Sequence, residues 1–550
     1  MRTHKNNLHS IPYNTLRFGL IRKEPEDYIP IVDLFAGPGG LGEGFSAFKS
    51  KDGHYPFKIR LSIEKDPCAH QTLLLRSFFR QFHRGYVPGE YYNFLRMNGV
   101  KSLDELLEQF PREGQAARNE ARLAELGGNE FSADEIDSWI KKAIGHADRW
   151  VLIGGPPCQA YSTVGRSRNK AIKGYNPEKD ERHFLYLEYL RIIANHWPSL
   201  FIMENVRGIL SSKINENLIF PKILDDLRLP SKVFNGTENC RKHEYRIYSL
   251  VKKTATKDLL GCDIFNSADY TIKCEDYGIP QARHRVIIVG IRDDFDDMEP
   301  SVLMPAGKHI RAEEVLEDLP VLRSCISQKQ DSNEAWYNII NSIHNDAWVR
   351  QLAMEKATRD IADEILKKAK ELELPEHGKG KEFIRYKAGC LYRRKWFHDG
   401  RLRGVCNSTT REHMPSDLKR YFFASCFASL RGRSPRLSEF PEELQPDHKN
   451  AFKATGSDYF ADRFRVQLKN KPSTTIMSHI SKDGHYYIHY DPIQCRSLTV
   501  REAARLQTFP DNYYFMGSKT QQYIQVGNAV PPLLALKIAE IVYDYLAKTS

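Results

Sequence analysis

Residues 28–48 constrain the fold more than any other stretch of this chain. Tyr28 to Phe35 form a short apolar run that passes straight into Ala36-Gly37-Pro38-Gly39-Gly40-Leu41-Gly42, and a helical pattern begins over Glu43 to Phe48. A strand feeding a glycine turn and then a helix is the opening unit of an α/β domain. Such glycines let backbone come close to a ligand, and the helix start aims free N–H groups at an anionic group. Alone, the pattern is weak evidence of a site, because many such turns are only tight turns. The chain has no Gly-x-x-x-x-Gly-Lys-Ser/Thr loop, so the ligand need not be a nucleoside triphosphate; a nucleoside with an amino-acid tail fits equally well.

Further apolar runs at Ile59 to Ile63, Trp150 to Ile153, Leu200 to Met203 and Arg285 to Ile291 alternate with helical patterns such as His183 to Asn195. That alternation predicts a doubly wound α/β fold, a mostly parallel sheet with helices on both faces. The charged stretch 81–148, including Leu103 to Phe110 and Ala116 to Leu126, reads as helices inserted between two strands and yields no functional reading. From about 295 to 470 the alternation stops. A charged helical pattern (Glu355 to Leu374) is followed by an Arg/Lys/aromatic segment from Lys379 to Arg436, which predicts a separate, smaller domain. The run Lys367 to Lys370 reads as a solvated helix face. Thr499-Val500-Arg501-Glu502 matches a capping box opening a helix to Phe509, and Pro531-Pro532 suits the first turn of a last helix.

A chain of 550 residues with 41% hydrophobic content can bury a large core and is long enough for two or three domains. Its charge, +11 from 81 basic against 70 acidic residues, favours a polyanionic partner without proving one. The ten cysteines include no Cys-x-x-Cys pair and no cluster at metal-ligand spacing, so neither a zinc site nor a disulfide framework is expected, and a reducing cytoplasm fits. The polar first ten residues and the lack of a long uncharged apolar run predict an intracellular chain with no membrane partner.

Three more segments carry chemistry. Glu64 ends the second apolar run about 20 residues beyond the glycine turn, where a carboxylate can accept hydrogen bonds from both hydroxyls of a ribose; its bland reading is a surface acid. Gly154-Gly155-Pro156-Pro157-Cys158-Gln159 follows a strand and places a thiol at the carboxyl edge of the sheet, where open α/β sheets bind ligands. A lone cysteine is usually an inert small hydrophobe. Here the following segment holds Arg166, Arg168, Lys170 and Lys173, whose field favours thiolate, so a reactive cysteine beside a polyanion is the better reading. Glu204-Asn205-Val206 puts a carboxylate on the same edge, and Gln281-Ala282-Arg283-His284-Arg285 precedes a strand whose alternation projects Gln281, Arg283 and Arg285 to one side.

With these motifs in their order, joined by Asp33-Leu34-Phe35-Ala36-Gly37-Pro38-Gly39-Gly40 and Gln525-Val526-Gly527-Asn528-Ala529-Val530-Pro531, the chain resembles the DNA cytosine-5 methyltransferases, of the kind found in bacterial restriction-modification systems. The resemblance covers about residues 28–295 and 472–546. It implies a Rossmann-like S-adenosylmethionine-dependent catalytic domain (28–295, with the 81–148 insertion), closed by 472–546, with a target-recognition domain over 296–471. Phe35, Gly37 and Gly39 would line the cofactor pocket with Asp33, Ala36, Gly40 and Pro156, Glu64 would hold the ribose, and Asn528 and Val530 would reach the cofactor from the far end of the chain. Lys65 stands where many relatives have an aromatic residue against adenine, and the acid that binds the adenine amino group is unassigned.

The resemblance also implies the chemistry. Cytosine C5 is too weak a nucleophile unaided, so the Cys158 thiolate adds to C6. Glu204 then presents a proton to N3, Arg285 donates to O2 with Arg283 in support, and the target base must leave the duplex. Gln159, Ser162 and the basic stretch with Arg166 and Arg168 are candidates for closing over the gap. Arg393, Arg394, Arg401, Arg403, Arg431 and Arg433 are candidates for phosphate and base-edge contacts to double-stranded DNA. A separately acting restriction endonuclease is the implied cognate partner and monomeric action the implied state. Two other readings stay open: the same chemistry on RNA, and a non-catalytic DNA-binding protein that keeps the fold.

Overall fold

The computed structural model describes residues 28–83, 86–157, 181–214, 217–234, 243–254, 256, 265–295, 298–327, 331–387, 389–446 and 463–549. An eight-stranded sheet forms from β1 (Ile29–Leu34), β2 (Phe57–Glu64), β3 (Ala121–Leu123), β4 (Val151–Gly154), β5 (Leu200–Val206), β6 (Tyr245–Tyr248), β7 (Thr271–Lys273) and β8 (His284–Arg292). The strands lie in the order β3-β2-β1-β4-β5-β8-β6, with β7 also on β8. β3, β2, β1, β4 and β5 run parallel, and β8 turns antiparallel against β5, β6 and β7. The chain winds outward in one direction through β1, β2 and β3 and in the other from β4, so the carboxyl ends of β1 and β4 flank the point where winding reverses, the place where such sheets open a crevice.

Alternation along the strands explains the two covered faces. Val32, Leu34 and Leu152 pack on one face with Ile136, Ile140 and Ala143 of α3 (Ala133–Ile144) and with Tyr189 and Ile193 of α4 (Glu181–His196). Ile31, Val151 and Ile153 pack on the other with Leu41 and Phe45 of α1 (Gly40–Ala47) and with Leu534 and Ile538 of α8 (Pro532–Lys548). α1 approaches α8 through glycine. A Cβ on Gly44 would stand 2.4 Å from the Ala535 Cβ and 2.5 Å from the Leu536 nitrogen, and one on Gly40 would stand 2.3 Å from the Val530 carbonyl oxygen.

The stretch 81–148 is not helices alone. Its Ala121–Leu123 segment is β3, paired with Ser62, Ile63 and Glu64, and Ala124 N–H donates to the Glu64 carbonyl. A three-residue strand inside a helical pattern leaves no period to read; the open backbone edge of β2 decides its conformation. The segment therefore supplies the third strand of the first half of the sheet.

Between β8 and the C-terminal helices, two apolar clusters form. One gathers Trp336, Trp348, Ile361 and Ile365 with Phe422, Phe423 and Phe427 of α5 (Pro415–Arg431). The other joins Val315, Leu316, Phe397 and Val405 to Leu498, Phe509, Phe515 and Val526, so parts of 310–405 share a core with the C-terminal segment. There α6 (Val500–Leu506) carries the expected capping box, with Thr499 and Glu502 each bonding the other's backbone, and α7 (Lys519–Asn528) follows. The run Lys519–Lys548 is long and apolar enough to cross a membrane, yet 72% of its apolar window is buried inside the protein.

Candidate active site

β1 ends in a turn that departs from ordinary strand geometry at once: Phe35 has φ 55°, Gly37 φ 57° and Gly39 φ 94°. Left-handed backbone is cheap for the two glycines and costly for Phe35, a strain held in place by its surroundings. Ala36 N–H donates to the Ile63 carbonyl and Gly39 N–H to the Ala36 carbonyl, and the Tyr513 hydroxyl donates to the Pro38 carbonyl. Glu64, at the end of β2, reaches across to this turn. One carboxylate oxygen accepts the Gly37 N–H at 2.7 Å and the other the Asp66 N–H at 2.8 Å, while burial pushes its pKa up.

Asp33 is buried beneath the turn and neither carboxyl oxygen takes a hydrogen bond among the described residues; the Gly42 N–H faces it outside hydrogen-bonding geometry. Burial raises its pKa to about 8, against the opposing pull of Arg80. Lys65 turns outward to an exposed ion pair with Glu125 at 2.8 Å.

The second half of the site is built where β4, β5 and β8 end side by side. β4 runs out into Gly155 and Pro156, and Asn205 of β5 donates to the Pro156 carbonyl at 3.1 Å. Glu204 lies beside Gly155 so closely that a Cβ there would stand 3.0 Å from its Oε2. Arg285 of β8 brings Nε to 2.9 Å from Glu204 Oε1, with both side chains nearly buried. Strand register explains the meeting, since Arg285 is opposite Val206, two residues along from Glu204 on the same face of the pair.

Arg283 and Gln281 take another direction. Arg283 donates to the carbonyls of Ile476 at 2.8 Å and Gly527 at 3.2 Å, and Gln281 is held by Ile476, Leu506 and Gln507. Burial, and then the neighbouring Arg285, lower the Arg283 pKa to about 9. These two residues tie β8 to the C-terminal segment, while Arg285 alone of the three pairs with Glu204. At the other end of that segment Asn528 is exposed at the end of α7, and the Val530 carbonyl rests on Gly40. Cys158, Gln159, Ser162, Arg166 and Arg168 lie outside the described residues.

A family described as C-5 cytosine-specific DNA methylase matches residues 126–229 and 251–543. The Type II methyltransferase M.Bpa9945I of Bacillus paralicheniformis is 30% identical over 94% of this chain and 99% of its own length. The chain belongs to the C-5 cytosine-specific DNA methylase family. It is a DNA (cytosine-5-)-methyltransferase, an enzyme of a family whose methyl donor is S-adenosylmethionine. Two further relatives span nearly the whole chain: the Type II methyltransferase M.DdeI of Desulfomicrobium norvegicum, 24% identical over 94% of this chain and 88% of its own, and M.AgeI of Thalassovita gelatinovora, 28% identical over 93% and 98%.

The six arginines of this methylase that the sequence offers for DNA contacts fall into two groups. Arg431 pairs with both oxygens of Asp360 (2.5 and 2.9 Å) and Arg433 with both of Glu439 (2.7 and 2.6 Å). Arg393, Arg394, Arg401 and Arg403 are exposed, Arg393 and Arg403 in left-handed backbone, and the Arg401 guanidinium lies 4.6 Å over the Tyr92 ring. Asn205 is the site residue that motif reading left without a role. Only its reach from β5 to the turn after β4 reveals one, because its partner is a carbonyl 49 residues away.

Proposed function

We propose that this methylase binds S-adenosylmethionine at the turn after β1, attacks a flipped-out cytosine of duplex DNA with the Cys158 thiolate, and is the modification enzyme of a restriction-modification system. The observation that carries the reading is the Glu204–Arg285 pair beside Gly155 and Pro156, just before Cys158 in the chain.

The residues present fit the cofactor. Gly37 has open space on the side a Cβ would occupy, and Glu64 keeps lone pairs beyond its two amide bonds for the ribose hydroxyls. Phe35, Ala36, Gly39 and Gly40 form the turn around it, and Asn528 and Val530 reach it from α7 and the start of α8. When bound, S-adenosylmethionine supplies an electrophilic methyl group. Cys158 bonds to cytosine C6 and pushes charge toward N3, where Glu204 delivers a proton while Arg285 donates to O2. Arg283 acts as a positioning residue through its carbonyl bonds at 476 and 527. Removal of the C5 proton and expulsion of the thiolate complete the cycle. Residues 296–471 supply target recognition, Gln159, Ser162, Arg166 and Arg168 close over the gap left by the base, and Arg393, Arg394, Arg401 and Arg403 face the duplex. The names of the relatives support the modification role; a cognate endonuclease acts separately, and the methylase works as a monomer in the cytoplasm.

The test incubates purified protein with radiolabelled S-adenosylmethionine and duplex DNA, with Cys158→Ser and 5-fluorocytosine DNA in parallel. Label in 5-methylcytosine and a Cys158-dependent covalent adduct are expected, and bisulfite sequencing of the product gives the recognised site. Label in RNA and none in DNA overturns the reading.

A further inference from the structure

The segment Gly89–Arg96 supplies no residue to the site described above, yet it is locked onto residues 399–402 by bonds that span more than 300 residues of sequence. The Tyr92 hydroxyl donates to Asp399 at 2.7 Å, Arg96 Nε donates to the Leu402 carbonyl at 3.1 Å, and a second Arg96 nitrogen donates to the Arg401 carbonyl. Asp399 in turn accepts from Asn512 at 2.7 Å and from the Arg401 N–H at 2.9 Å. Asn512 accepts from Arg76 of α2 (Pro67–Arg80) at 3.1 Å, and Arg76 grips Glu43 of α1 with two bonds of 2.8 and 2.5 Å. A continuous hydrogen-bonded path thus runs from the helix behind the glycine turn to the 399–403 turn.

That path holds positive charges together. Arg385 and Arg403 are exposed and flank one short antiparallel pairing, in which Arg385 is opposite Gly404 and Tyr386 N–H donates to the Arg403 carbonyl. Neither has a carboxylate partner among the described residues. Arg96 and Arg401 both lie over the Tyr92 ring, at 5.8 and 4.6 Å. Desolvation, and then the like charges of Arg403, Arg385 and Arg401, lower the Arg96 pKa, against the opposing pull of Tyr92. The nearby acid, Asp399, is consumed by Tyr92, Asn512 and the Arg401 amide. Arg96 and Arg401 have structural contacts of their own, but placing Arg385 and Arg403 beside them adds repulsion that no contact of these two among the described residues offsets. Their geometry suits a polyanion whose own charges offset that repulsion.

We infer that Arg96, Arg385, Arg401 and Arg403 form one phosphate-binding patch for the DNA backbone, with the insertion supplying Arg96 and, through Tyr92, the platform that sets the 399–403 turn. The inference rests on DNA being the substrate and extends that reading to a part of the chain outside the recognition segment. Phosphate contacts fix register and orientation and carry no sequence information, so the patch contributes affinity equally at every sequence.

The test uses the full chain and sheared, unmethylated phage DNA as probe, with binding titrated over a range of salt. Arg385→Ala/Arg403→Ala removes two side chains that make no hydrogen bond or ion pair among the described residues. Its slope of log affinity against log salt is expected to be shallower by about 2, about 1 for each lost contact. Its KM for DNA rises, and kcat at saturating DNA stays within about twofold, because contacts made equally in the ground and transition states act on KM. The double lysine variant regains most of the affinity. Arg96→Ala is expected to lose a third contact and to loosen the turn. An unchanged slope and affinity in the double alanine variant, while the wild type still methylates the same DNA, overturns the patch alone. Absence of methyl transfer to DNA by the wild type overturns the reading beneath it.

Discussion

The carboxyl edge of the sheet and the junction around α6 are both rich in buried charge, and they treat it in opposite ways. At the junction the buried arginines of 496–505 are each closed off by partners. Arg496 makes two 2.7 Å bonds to Glu502, Arg505 bonds both Asp511 and Asp318, and Arg501 spends its donors on the carbonyls of Cys406, Pro510 and Tyr513. At the edge, Asp33 and the Arg283 Nε go without a hydrogen bond among the described residues, and Glu204 shares one close contact with Arg285. Buried polar groups that are fully paired fix how two segments dock, whereas those left under-satisfied, such as the protonated Asp33 carboxyl, are a reserve of interaction for a ligand. The difference separates what holds 310–322 and 400–407 to the C-terminal segment from what the carboxyl edge leaves open to a ligand.

The contrast is broken most severely by Arg496→Met. Burial works against the Glu502 carboxylate, but Arg496 holds its pKa down to about 2, so the variant leaves a buried acid that keeps its Thr499 bonds and its His489 neighbour but loses the guanidinium that offsets its charge. A loss of about 3–5 kcal/mol in urea unfolding is expected; a loss below about 1 kcal/mol would erase the distinction between the regions. At the edge, Glu204→Gln should do the reverse. Methyl transfer is expected to fall by about a hundredfold or more, near 3 kcal/mol in the barrier, with the melting temperature held. A variant that unfolded as readily as Arg496→Met would show that Glu204 serves docking instead.

The same contrast explains what the sequence made legible. The glycine turn, Glu64, the strand before Cys158, and Glu204 with Arg285 each lie within a few residues of an apolar strand, so strand periodicity and motif order place them without coordinates. The capping box at Thr499–Glu502 is likewise a local signal, and it formed as written. β3 was hidden because three residues carry no period. The separate directions of Arg283 and Arg285 were hidden because simple alternation holds only along a continuous strand, and the Gln281–Ala282 pair belongs instead to a two-residue ladder with Ser473–Thr474. The roles of Tyr92, Arg96 and Asn205 are contacts across 49 to more than 300 residues, and nothing in local composition announces them.

A smaller effect is expected at Asp33, where the sign can be worked out. Its folded pKa stands at about 8 against an ordinary 3.8, raised by burial. The folded chain therefore holds a proton that the unfolded chain releases above pH 4. Stability from this group is full below about pH 4 and is lost progressively as pH rises toward 8, at roughly 1 kcal/mol per pH unit inside that window. Asp33→Asn, which keeps the shape and removes the titration, should flatten the dependence between pH 6 and 8 and melt higher than the wild type at pH 8. Parallel pH profiles of the two proteins would show Asp33 to be ionised and satisfied in the native state, and the edge to be no different from the junction.

The smallest effect is expected where a pairing exists but is exposed. Arg431 and Arg433 look in sequence like the other basic residues of the 379–436 segment, yet each is already gripped by a carboxylate, Asp360 or Glu439, at the surface. Exposed pairs contribute about 0–1 kcal/mol, so Arg431→Ala/Arg433→Ala should shift unfolding by less than about 1 kcal/mol. To contact a phosphate, either arginine must leave a carboxylate that already matches its geometry, and the acid left behind repels the same phosphate. The salt dependence of DNA binding should therefore be that of the wild type, while Arg385→Ala/Arg403→Ala makes it shallower. Equal changes in slope from the two double variants would mean that free and paired arginines serve the duplex alike, and the pairing seen at 431 and 433 would have no bearing on where DNA lies.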